Sequence, residues 1–172
     1  MIQPAFVFPL LALGPDRYRP VSKDDEKFYV FRDEDALLRA TRDELKSGVR
    51  LKMLLIDSAN NAYRISRIVD AGPKTPLWHR LLLGIFRQAG SIERRLECDF
   101  TCEEPVAFKA VKARVLASIE RNQDDWVDDE AIVGEAGAPL ALEEILGRAK
   151  AAVSRATNVR ELFENLDQAW PY

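Results

Sequence analysis

The sequence predicts an α+β fold: a mainly antiparallel sheet of about five strands, with packed helices and a C-terminal helical pair. Three observations predict it. Val49 to Val69 reads VRLKMLLID, SANN, AYRISRIV, two apolar β-prone runs around a short polar break, which is the pattern of an antiparallel hairpin. Ile92, Leu96, Cys98, Phe100 and Cys102 share one parity, with mostly polar residues between them, as on a half-buried strand. Three later stretches repeat apolar residues at helical spacing.

Taken in order, Ala5 to Leu13 is an apolar run interrupted by Pro9, read as an edge strand because proline removes a ladder donor. It lacks the preceding Lys or Arg of a secretory signal and is too short to cross a bilayer. Gly14-Pro15-Asp16 signals a turn, and residues 17–27 read as a polar loop. Phe28 to Phe31 forms a second strand. Asp33 opens a helix with Leu37, Leu38, Thr41 and Leu45 on one face, stopped by Gly48. The hairpin follows. Leu54, Leu55 and Ile56 are consecutive apolar residues, so its first strand is covered on both faces and lies inside the sheet. Its second strand changes phase between Ile65 and Ile68, which predicts a bulge near Ser66 or Arg67.

Residues 77–88, with Leu77, Trp78, Leu81, Leu82, Leu83, Ile85 and Phe86, read as a buried helix. After the strand through Cys102, Pro105 introduces a helix with the stripe Phe108, Val111, Val115 and Ile119. A further helix carries Leu142, Ile145, Leu146, Ala149 and Val153. Asn158 and Glu161 suggest a capping box for the last, with Leu162, Phe163, Leu166 and Trp170 on its face. Residues 1–139 are read as the α+β core domain and 140–172 as a helical extension packed on it.

Composition narrows the function. The chain has 172 residues, 47% apolar and 31% charged, with a net charge of −3. A dedicated nucleic-acid binder usually carries a basic excess, so none is expected as a partner. The charge is uneven: residues 1–119 carry net +4 and residues 120–172 net −7. Cys98 and Cys102 on one strand would stand about 13 Å apart, beyond disulfide reach, so both are expected to be buried free thiols in a reducing cytoplasm.

Few residues suggest catalysis. The phosphate-loop, dinucleotide, nucleophile-elbow and His-Glu-x-x-His signatures are missing. The lone histidine, His79, reads as structural or surface, and a dyad with Cys98 or Cys102 is disfavoured because thiols on a buried strand face are normally inert. Arg50, Lys52, Arg64 and Arg67 could share a basic sheet surface, although a solvated face is the commoner reason for such residues.

The stretch with most functional content is Asp124, Asp125, Trp126, Val127, Asp128, Asp129 and Glu130. Its five carboxylates do not match a calcium-loop spacing. It reads either as a solvated loop whose Trp126 packs back on the core, or as a protein contact surface with an apolar anchor ringed by charge.

Leu55 to Ser58 (LIDS), the Asn-rich turn, Ala62 to Ile65 (AYRI) and Lys112 to Glu120 (KARVLASIE), leading into the Asp-Asp-Trp segment, resemble small bacterial immunity proteins of polymorphic-toxin systems. The resemblance spans roughly residues 28–130 and carries over no site residue by position. It implies a cytosolic inhibitor that binds a cognate toxin, often with an acidic surface against a basic nuclease.

The expected function is therefore a non-enzymatic protein-binding module, and the resemblance implies an immunity-type inhibitor. Its contact would be Asp124, Asp125, Trp126, Asp128, Asp129 and Glu130 with a basic partner. No cofactor, metal or membrane contact is expected. Two alternatives remain: a ligand-binding protein or enzyme with a pocket between the sheet and residues 77–88, and an oligomerisation module using the C-terminal helices.

Overall fold

The computed structural model describes residues 4–15, 26–74, 92–122 and 142–169. Within them the chain is α+β, as its patterning predicts. A curled sheet of six antiparallel strands is built from β1 (Leu10–Pro15), β2 (Glu26–Phe31), β3 (Arg39–Thr41), β4 (Leu54–Ile56), β5 (Ala62–Pro73) and β6 (Glu93–Glu103). Their spatial order is β2-β1-β4-β5-β6-β3. The β4–β5 hairpin thus lies in the sheet interior, and the register shift between Ile65 and Arg67 provides the predicted bulge.

Strands β1 and β4 are apolar on both sides and form the centre of the molecule. Leu11, Leu13, Leu54 and Ile56 point to one face, where they meet helices α3 (Phe108–Arg121), α4 (Leu142–Arg155) and α5 (Val159–Ala169). Val111, Val115 and Ile119 of α3 are fully buried there, and so are Val153 of α4 and Leu162 of α5. On the opposite face, Leu10, Ala12 and Leu55 pack with Tyr63, Leu96 and Cys98 under a layer of short elements. That layer comprises α1 (Glu34–Leu37), β3, α2 (Arg42–Ser47) and a 3-10 turn at Val49–Lys52.

Several local expectations change. Pro9 precedes β1, so it costs the ladder nothing, and β1 is an interior strand between β2 and β4 while β2 forms the edge. Gly14 continues β1 and does not turn. A Cβ there would stand 2.8 Å from Met53 Cγ, so glycine permits the close approach of the two segments. The first half of the expected hairpin strand is the 3-10 turn, which leaves only Leu54–Ile56 in the ladder.

The helix expected from Asp33 to Gly48 is two helices with a strand between them. Asp33 caps α1, accepting from the Ala36 N–H at 2.7 Å. The chain then extends, and Arg39–Thr41 pairs with Glu93–Arg95 of β6. Thr41 starts α2 with a capping box: Glu44 N–H donates to Thr41 Oγ1 at 3.3 Å, and Thr41 N–H donates to the Glu44 carboxylate at 2.8 Å. Gly48 ends α2 in the left-handed conformation, φ 63°. At the other end of the chain, Asn158 caps α5 through the Glu161 N–H, while the Glu161 carboxylate accepts from Thr157 N–H and hydroxyl. Those bonds hold the Glu161 carboxyl below its ordinary pKa.

Two buried polar groups fix the loops. Arg50, 1% exposed, donates to the backbone carbonyls of Leu37 (2.7 Å) and Arg39. Its guanidinium lies 5.1 Å from the Phe31 ring centre and 3.8 Å from Glu44. It joins α1, β3, α2 and β2 through one side chain. Asp57, fully buried after β4, accepts from the backbone N–H of Ala59 (2.9 Å) and Asn61 (2.8 Å), from Asn61 Nδ2 (3.0 Å) and from the Tyr63 hydroxyl (3.2 Å). This Asx-type network, with Asn60 at φ 66°, forms the turn expected from the Asn pair.

Two outcomes follow for stability. Leu55→Asp buries a carboxylate in a site with no exposure, a cost of several kcal/mol against a total of about 5–15 kcal/mol. Circular dichroism should find it unfolded at room temperature. Arg50→Met alone strands the Glu44 carboxylate and should lower stability by about 3–5 kcal/mol in urea titration, whereas Arg50→Met with Glu44→Leu should recover most of that loss.

Candidate interaction surface

The helical layer ends before the sheet does. The face that carries Leu54, Ile56 and Ala62 under the helices continues along β5 and β6 as Arg64, Arg67 and Val69 opposite Thr101, Asp99 and Glu97. Apart from the half-buried Asp99 these residues are exposed, Val69 included at 37%. The strand pattern explains the change, since the same parity that reads apolar in β4 reads polar after Ala62.

Both arginines of this open face stand near carboxylates of β6. Arg64 Nε lies 3.4 Å from Glu103, and Arg67 lies 3.9 Å from Asp99. Ser66, the bulged residue, donates its hydroxyl to the Asp99 carbonyl at 3.1 Å. Such exposed ion pairs contribute about 0–1 kcal/mol each, so they set the local potential more than the stability. The basic sheet surface considered from the sequence does not form. Arg50 is withdrawn into the core, and Arg64 and Arg67 face carboxylates.

The expected contact residues Asp124, Asp125, Trp126, Asp128, Asp129 and Glu130 lie outside the described residues. So do His79, residues 77–88 and Trp170. The point from which the acidic segment departs is described. α3 ends at Arg121, and Asn122 Nδ2 donates to the Ser118 carbonyl (2.8 Å) and the Glu26 carbonyl (3.4 Å). Arg114 of α3 forms an ion pair with Glu26 of β2. The root of the segment is therefore tied to the sheet edge.

Two surface depressions formed by described residues lie elsewhere. One, about 320 Å³, lies between β2 and α5, lined by Pro9, Val30, Arg32, Phe163, Glu164 and Asp167 among others. Arg32 spans it, donating to both Asp167 carboxylate oxygens at 2.9 and 3.0 Å. The other, about 470 Å³, lies between α2 and β5 and holds Leu45, Leu51 and Ile68 below Arg42 and Lys46. Sequence pattern does not foretell this second groove, because Leu51 and Ile68 come together only through the hairpin ladder.

Burial, followed by the nearby Asp57 charge, pushes the Tyr63 phenol up to about 12. Burial pushes the Cys98 thiol up to about 11. Both therefore stay protonated near neutral pH, and the thiolate that a Cys98 nucleophile would need is disfavoured. Lys74 donates to Asp35, and Arg94 to Asp70, holding both carboxyls below their ordinary range. Among the described residues, no group of three His, Cys, Asp or Glu side chains could hold a metal ion, and no helix is long and apolar enough to cross a membrane. Cys102 corrects the expectation of two buried thiols. It shares the inward parity of Cys98 but is exposed, because Phe6, seated on Phe100 at 4.8 Å and Tyr63 at 4.9 Å, closes this end of the core short of it.

Comparison of the chain with protein-family models, with curated proteins and with solved structures finds no match.

Thiol chemistry and alkaline titration check this geometry. A thiol reagent added to the native protein should modify Cys102 quickly and Cys98 only after unfolding, as read by mass spectrometry of the labelled peptides. The raised Cys98 and Tyr63 values mean that the folded state holds these protons more tightly than the unfolded chain. Their contribution is intact below the ordinary values of 9.0 and 10.0 and is lost as pH rises through about 11 and about 12. The melting temperature should fall across that window, and less steeply in Tyr63→Phe and Cys98→Ala.

Proposed function

We propose that this protein is a non-enzymatic binding module that engages a basic protein partner, in the manner of a cytosolic immunity-type inhibitor. One observation carries the reading: five carboxylates surround Trp126 within residues 124–130, with no Lys or Arg among them. That segment would steer a basic partner by its potential, and the indole would supply affinity by leaving water in the partner's pocket.

Other features support the same reading. The anchored end of α3 gives the segment a fixed root at Asn122. The open face, with Arg64 and Arg67 already facing carboxylates, suits a protein partner better than nucleic acid. The free cysteines 98 and 102 suit a reducing cytoplasm. The motifs at residues 55–65 and 112–120 supply the resemblance to immunity proteins.

The test begins with a pull-down from the native host at moderate salt and proceeds to binding kinetics with the captured partner. Asp128→Asn with Asp129→Asn should slow association and flatten its salt dependence. Trp126→Ala should speed dissociation, with a loss of about 2 kcal/mol or more in affinity. The reading is wrong if Trp126→Ala lowers the melting temperature while neither variant changes the kinetics, because the tryptophan then serves its own core.

A further inference from the structure

We propose that the groove between α2 and β5 is a second binding site of opposite sign, which takes an acidic peptide segment carrying one bulky apolar side chain. It uses none of the residues of the acidic stretch and goes beyond the reading above.

The floor of the groove is apolar and open. Leu51 is 44% exposed, the highest value among the exposed large apolar residues described, and Leu45 and the half-buried Ile68 adjoin it. The 3-10 turn produces this exposure. It buries Val49 and Arg50 inward, which leaves Leu51 outward on the next position. An exposed leucine alone is unremarkable, but one set in a depression of about 470 Å³ beside two more apolar side chains has the shape of an anchor pocket.

The rim supplies the sign. Arg42 and Lys46 lie four residues apart on α2, hence on one face of it, and both are exposed. Neither comes within ion-pair distance of a described carboxylate, in contrast to Arg32, Arg64, Arg67 and Arg94, and Arg42 acts on Asp70 only through space. The two carboxylates in the groove are already engaged. Glu44 is buried beside Arg50 and in the Thr41 cap, and Asp70 accepts from Arg94 at 2.9 Å. The charge left over for a ligand is therefore positive. Gly48, at φ 63°, leaves open space where a side chain would stand, so the groove is clear beside the turn. An acidic segment complements the two cations, and a large apolar side chain from it would cover Leu51, Leu45 and Ile68.

The test uses the full chain and fluorescein-labelled short Asp/Ser peptides with Leu, Ile, Phe or Trp at the centre. Controls carry Ser at the centre, or Lys in place of Asp. Fluorescence anisotropy should show saturable binding for at least one apolar-centred acidic peptide and none for the controls. Arg42→Ser with Lys46→Ser should weaken it about fivefold and flatten its salt dependence. Leu51→Ser should weaken it about tenfold at unchanged salt dependence. Melting temperatures should stay near wild type, because all three side chains are exposed. Asp128→Asn with Asp129→Asn should leave peptide binding unchanged, which separates this site from the acidic segment. The proposal is overturned if no acidic peptide saturates, if the Lys peptides bind equally, or if the groove variants bind as wild type does. Recruitment of the protein to phosphatidylserine vesicles, lost in the same groove variants and without peptide binding, would overturn it in favour of a membrane surface.

Discussion

The structure depends on two short strands that are apolar on both sides. β1 and β4 expose no face that water can wet, so each side of the sheet centre must be covered by other parts of the chain. Three amphipathic helices from the second half of the sequence cover one side. The other side has no long helix among the described residues, and a set of short elements between β2 and β4 covers it instead. Gly14 lies against Met53 at the seam where this cover meets β1, and a larger residue there would force the two apart.

Short elements bring a cost that helices avoid, since their backbone groups need partners from outside. The protein meets it with buried side chains. Arg50 satisfies carbonyls at the end of α1 and in β3, and Glu44 both caps α2 and faces Arg50. Asp57 plays the same part at the β4–β5 turn, collecting two backbone donors and two side-chain donors. Tyr63 and Cys98 are buried as these groups are. Their burial keeps them structural, with the phenol and thiol protonated near neutral pH.

Where cover stops, surface becomes available. The β5–β6 ribbon runs past the helices with Arg64 and Arg67 beside carboxylates, while the α2–β5 groove has two cations and three apolar side chains in its lining. The acidic stretch after α3 has the opposite sign.

By itself the sequence determined what local chemistry can specify. The hairpin is marked by Asn60 and Asn61 between apolar runs, the bulge by the phase change after Ile65, and α3, α4 and α5 by stripes of period 3.6. The interior place of β4 follows from three consecutive apolar residues. Long-range pairing decided the rest. Residues 39–41 look helical in isolation, yet the β6 edge offers them a ladder and Thr41 offers a cap, so the expected single helix breaks there. Arg50 reads as a surface cation until its carbonyl partners at Leu37 and Arg39 are in place. Cys102 reads as buried because parity records direction, whereas burial depends on how far the covering layer extends. The α2–β5 groove has no sequence signature for the same reason: Leu51 and Ile68 stand seventeen positions apart, and only the folded ladder makes them neighbours.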